Sequence, residues 1–218
     1  MRPPRTPMRI NTYCDRGVGG KGWRRNKSIG STMATLINHW MSWEGGVDLV
    51  AVTQPGLTMP NVIVHVARMV HTPVGSAPAG MVFFQPDPTK PPAVMGFIST
   101  DPHVGAYFGP KIFAGTPFEN APVITAQIEI NTQVAGEVSA KITIAGQVFQ
   151  TRLTGLKPAE LISRAPSAMP PFWQQGLESV ASAAELTVNG APVAIIVPPV
   201  GISGGPAAVF APAGVYAR

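Results

Sequence analysis

Apolar and polar residues alternate with a period of two through the middle of the chain. Between Val123 and Thr132, Ile124, Ala126, Ile128 and Ile130 fall on one side of an extended backbone, and Thr125, Gln127, Glu129 and Asn131 on the other. Glu137–Ile144 repeats the pattern, with Ala140, Ile142 and Ile144 opposed to Ser139, Lys141 and Thr143. A turn around Ala135-Gly136 joins the two segments, and Gln147–Leu153 follows Ala145-Gly146. This spacing predicts an antiparallel meander with one face on a core and one in water.

Upstream, Asp48–Thr53, Asn61–His71, Gly80–Gln85 and Ala93–Ser99 are short runs rich in Val, Ile and Phe with Gly and Pro between them, and they predict strands. Strands resume at Glu185–Val188, Ala194–Val197 and Ala208–Ala211. Helical spacing is confined to three places. Met33, Leu36, Ile37 and Trp40 fall at i, i+3, i+4 and i+7 within Thr32–Trp43; Pro158–Ser163 and Phe172–Ala184 flank the breaker Met169-Pro170-Pro171. Ten short strands, few helices and no strand–helix alternation predict a mainly β fold (β-rich α+β): an antiparallel barrel or sandwich with a few short helices.

Charge divides the chain. Residues 1–30 hold eight basic side chains against Asp15 alone, while the rest of the 218 residues holds eight basic and ten acidic ones. The formal charge of +5 therefore belongs to a basic tail over residues 1–32, read as disordered, ahead of a single β-rich domain over 33–218. For that domain no nucleic-acid partner is expected. Charged residues make up 12% of the chain, about half the usual share, against 45% hydrophobic. Apolar surface hidden between subunits accounts for that, so a homo-oligomer is expected. Cys14 is the only cysteine, which excludes an intrachain disulfide and fits a reducing cytoplasm. The most apolar run, Ala191–Val200, is broken by Pro192, Pro198 and Pro199, so no membrane span is expected. Trp23-Arg24-Arg25-Asn26-Lys27 has the look of a twin-arginine signal, but Asn38, His39 and two tryptophans spoil the apolar segment that should follow.

Motifs with a defined chemistry are few. Gly17-Val18-Gly19-Gly20-Lys21-Gly22 has the glycine spacing of a dinucleotide loop but neither a strand before it nor a helix after it. His65 and His71 share strand parity, yet six residues of extended chain separate them by about 20 Å, too far for one ion. No metal and no cofactor is expected. Lys111, by contrast, sits among Tyr107, Phe108, Ile112 and Phe113 after Gly109-Pro110, in a domain sparing of basic residues. An ammonium in such surroundings loses hydration, its pKa falls, and the free amine becomes a nucleophile fit for imine chemistry. A lysine that snorkels, with stem on apolar surface and amine in water, fits the same pattern.

Gly109-Pro110-Lys111-Ile112-Phe113-Ala114 resembles the Pro-Lys-Lys-Leu-Ala segment of the acetoacetate decarboxylase-like family. The resemblance implies a β-barrel, an oligomer, and a Schiff base between the first lysine of that segment, here Lys111, and a keto acid. Ile112 stands where the family has its second lysine, and Val104-Gly105 occupies the region of an upstream Arg-Glu pair. Around Lys111, Arg68 and Arg152 are the candidate cations for a substrate carboxylate. Glu119 and Tyr107 are the candidate acid–base groups. The function expected is a cofactor-free lyase acting on a small oxo acid through Lys111, of the decarboxylase, aldolase or dehydratase type. The alternative is a β-barrel that encloses an apolar small molecule without Schiff-base chemistry.

Overall fold

The computed structural model describes residues 40–168 and 170–218. Among these residues the regular elements are twelve strands and one helix, so the fold is mainly β. In chain order they are β1 (Trp40–Ala51), β2 (Val62–Thr72), β3 (Gly75–Phe84), β4 (Val94–Ser99), α1 (Pro102–Ile112), β5 (Val123–Asn131), β6 (Glu137–Ile144), β7 (Gln147–Thr154), β8 (Glu160–Arg164), β9 (Trp173–Val180), β10 (Ala183–Val188), β11 (Ala191–Val193) and β12 (Ala208–Ala217). All the strands join one sheet in the order β11-β10-β7-β6-β5-β4-β3-β2-β1-β12-β9-β8. The pairings are antiparallel except that of β4 with β5, and α1 is the crossover that a parallel pair requires. The sheet is open, with β11 and β8 as its edges.

It curls until β5, β6 and β7 lie over β2, β1 and β12. Inside the curl is one core, built from Val47, Leu49, Val64, Val82 and Ile98 on one side and Ile128, Ile142, Phe149 and Leu153 on the other. The predicted meander supplies the second set, with the alternation read from sequence: Ala126, Ile128, Ala140, Ile142 and Ile144 are buried. A second core lies on the outer face of β1–β4 and β12, where Val104, Phe108 and Ile112 of α1 cover Ala79, Met81 and Phe97. Asp101 caps α1 by accepting the His103 N–H at 2.8 Å, and Pro102 fits the first turn, where its missing N–H is not needed.

Three irregularities decide which residues reach this outer face. Met41 and Trp43 face it, but Val47 and Leu49 face the inner core, because Gly45 at φ +61° reverses the facing of β1 between them. Asp48 and Val50 are thereby turned outward. In β2 the register with β3 shifts between Ala67 and Val70. In β12 the register with β9 shifts between Phe210 and Gly214, and Tyr216 returns to the face of Val209.

The helices expected from spacing are strands. Trp40–Trp43 opens β1, and residues 32–39 lie outside the described residues. Pro158–Ser163 becomes β8, an edge strand with Leu161 80% exposed. Phe172–Ala184 becomes β9 and the start of β10: the buried positions of β9 are the polar Gln174, Glu178 and Ser179, while Trp173 and Leu177 are exposed to solvent. A strand whose inner side is polar hides the period-two signal. Gly109-Pro110 belongs to the last part of α1, with Gly109 pressed on the Phe97 ring. No helix among the described residues is long and apolar enough to cross a membrane.

Candidate active site

Asp48 and His65 are opposite partners in the β1–β2 ladder, both on the outer face. Asp48 Oδ1 meets His65 Nδ1. Phe108 of α1 lies parallel to the imidazole at 5.7 Å between centroids, and Phe113 meets it edge-on at 6.1 Å. Burial under these rings pushes the His65 pKa down, but the charge of Asp48 and its hydrogen bond together outweigh burial and raise it. The carboxylate also fixes the ring orientation, and Nε2 has no hydrogen-bond partner among the described residues. About a quarter of the side chain (26%) remains open, and that part faces a cavity.

The cavity measures about 50 Å³, room for one or two waters at about 30 Å³ each. Its walls mix Asp48, His65, Gln174, Glu178 and Tyr216 with Val50, Ile63, Phe113 and Val209. A smaller space of about 20 Å³ lies beside it against Trp43, Ala67 and Phe108. Asp48, His65 and Tyr216 border both.

Tyr216 is buried, tilted against Trp43 at 4.7 Å and edge-on to Phe172 at 6.5 Å. Its hydroxyl has no hydrogen-bond partner among the described residues. Burial, then the negative charges of Asp48 and Glu178, push its pKa far up, with Arg164 opposing them, so it stays protonated. Trp43 is seated on glycine: a Cβ on Gly214 would stand 2.1 Å from the indole.

Arg164 of β8 and Glu178 of β9 form a bidentate pair, Nη1–Oε1 at 2.5 Å and Nη2–Oε2 at 2.6 Å, and Gln174 accepts a third bond from Nη1 at 3.3 Å. Hydrogen bonding by Glu178 raises the pKa of Arg164 against the opposing effect of burial. The guanidinium rests on Gly205, where a Cβ would come within 2.8 Å of Nη2. Gly205 and Ser203 belong to a loop that closes over the cavity, held by Gly201 N–H to Gly205 O at 2.7 Å.

The predicted site residues lie elsewhere. Lys111 is in the last turn of α1 with its amine 3.8 Å from the centroid of the Tyr107 ring, one helical turn back. The two share an open surface depression with Val74, His103 and Ala106. Partial burial lowers the Lys111 pKa and raises that of Tyr107. Arg68 bonds Glu44 at 3.2 Å, and Arg152 bonds Glu137 at 2.7 Å and Glu185 at 3.4 Å. Glu119 accepts the Gly115 N–H at 2.8 Å, closing the turn after α1. Of the five, only Lys111 and Tyr107 are brought into contact.

Asp48 and His65 left a trace in the sequence, as single polar positions inside Val47–Val52 and Val62–Val66. Arg164, Glu178 and Tyr216 left none, since they meet only through the register of β8, β9 and β12. Among the described residues no group of three or more His, Cys, Asp or Glu is placed to hold a metal ion. No protein-family model matches the chain, and no curated protein and no solved structure is significantly similar to it.

Proposed function

We propose that this domain is an acid–base enzyme that moves a proton on a small neutral carbonyl compound held beside His65. One observation carries the reading: Asp48 holds Nδ1 and leaves Nε2 unpartnered in a cavity that also receives the unpartnered hydroxyl of Tyr216. In the proposed step the C–H bond next to the carbonyl breaks and its proton passes to Nε2. The C–H electron pair becomes a carbon–carbon double bond and the carbonyl π pair moves onto the oxygen, to which Tyr216 donates a hydrogen bond. Return of the proton to the same or a neighbouring carbon completes exchange or isomerisation. A neutral substrate is favoured because Asp48 and Glu178 already bring negative charge and Arg164 is taken by Glu178.

The test is α-hydrogen exchange of 2-butanone in D2O, followed by NMR. His65→Asn should slow it about 100-fold or more, and Tyr216→Phe by about 100-fold. Equal rates in wild type and His65→Asn would overturn the proposal.

A second reading keeps Lys111 as an imine-forming nucleophile on a small oxo acid, supported by the lowered pKa of its amine and the resemblance around it. Arg68 and Arg152 would first have to leave their carboxylate partners. Borohydride trapping with pyruvate or acetoacetate should add a defined mass to the Lys111 peptide; an unmodified peptide removes this reading. A cytoplasmic homo-oligomer belongs to both readings. Leu161, Trp173 and Leu177, exposed together on β8 and β9, support assembly, which sedimentation measures.

A further inference from the structure

We infer that the substrate carries an unbranched apolar chain, which lies in a groove adjoining the His65 cavity. The inference rests on the proton-transfer reading above and names its substrate class: a neutral carbonyl head on a hydrocarbon tail, such as a medium-chain methyl ketone.

The groove, about 540 Å³ and open to solvent, runs between residues 57–60 after β1, the Gly115–Phe118 turn after α1, and the Ile196–Val200 stretch before β12. It meets the cavity at Val50, Gly201 and Ile202, which line both. The two spaces divide the chemistry between them. The cavity holds Asp48, His65, Glu178 and Tyr216, whereas the groove has no charged side chain. Its polar side chains are Thr58 and Thr116, and the Thr116 hydroxyl is turned inward to the Phe113 carbonyl at 2.7 Å.

Exposed apolar residues scattered singly need no explanation, but Met59, Ile196 and Val200 are exposed within this one groove. A head small enough for about 50 Å³ has few atoms with which to bind. A tail on the same molecule reaches the adjoining apolar walls past Val50 and Ile202 and supplies the affinity that the head lacks.

The experiment measures dissociation constants of the alkan-2-ones from butanone to nonanone for the full chain by calorimetry, with α-hydrogen exchange followed in parallel. Affinity should rise about three- to fourfold per methylene. Ile196→Asp and Met59→Asp, both at exposed positions, should flatten the series and leave butanone exchange intact. His65→Asn should keep the slope and lose exchange. A flat series in the wild type, or a slope unchanged in both groove variants, overturns the inference. Exchange with a flat series removes the tail and keeps the reaction; a slope without exchange at any length removes the reaction and keeps the groove as an apolar-ligand site. If Met59→Asp dissociates an oligomer and neither form shows a slope, the groove is a subunit interface and the inference falls.

Discussion

Asp48 holds the imidazole of His65 from directly across the β1–β2 ladder, under the cover of Phe108 and Phe113. The folded-state pKa of His65 is raised above its ordinary 6.5. The pair therefore stabilises the fold fully below the unfolded value, and the contribution is lost as pH rises through the folded one. Denaturation midpoints should therefore decline as pH rises above 6.5 and level off once the folded imidazole has lost its proton. In Asp48→Asn burial is left unopposed, so that decline should vanish and the imidazole pKa, read from its Cε1–H resonance, should fall below 6.5.

Glu178→Gln removes the carboxylate that Arg164 grips with both nitrogens. The two side chains are 10% and 26% exposed, so the stranded guanidinium regains little water. A loss of about 2–4 kcal/mol in chemical denaturation is expected. Arg164→Met with Glu178→Leu should cost less than the sum of the single changes, because the pair is then removed whole.

Gly109→Ala sets two effects against each other. Alanine gains about 1 kcal/mol in a helix interior. Its Cβ, however, would lie 2.2 Å from Phe97 Cγ, in a ring that is fully buried. Steric cost wins, and a net loss of about 1–3 kcal/mol is expected in thermal or chemical unfolding. Since α1 carries Phe108 against His65, the substitution should also shift the His65 resonances.

Thr151 is buried among the side chains between the curled halves of the sheet, and its hydroxyl is without a hydrogen-bond partner. Thr151→Val keeps the shape and discards the stranded polar atom. Unfolding should then require about 1 kcal/mol more, seen as a higher denaturant midpoint with an unchanged slope.

The sequence signalled the inner core better than the outer one, for a physical reason. In β5 and β6 apolar side chains point to one side and polar ones to water, so alternation reports the structure directly. In β9 the buried positions are Gln174, Glu178 and Ser179, the first two lining a cavity, and Trp173 and Leu177 are exposed to solvent, so the alternation is inverted and reads as a helix. Gly45-Gly46 and Pro212 mark an irregularity in each strand, but glycine and proline do not say which residues are thereby turned to the site. Lys111 stood out because basic residues are scarce. Arg164, the cation that pairs with Glu178 of the cavity wall, sits in an edge strand with no apolar pattern of its own.

The pairing of β1 with β12 has a consequence for the order in which this chain acquires its parts. β5, β6 and β7 are joined by short turns, and contacts so close in sequence form at small cost in chain entropy. Asp48 and His65 gain Glu178 and Tyr216 only when segments more than a hundred residues apart are brought together. The cavity is thus assembled at the final closure of the chain, and a polypeptide halted before β12 has its meander but no place for a substrate.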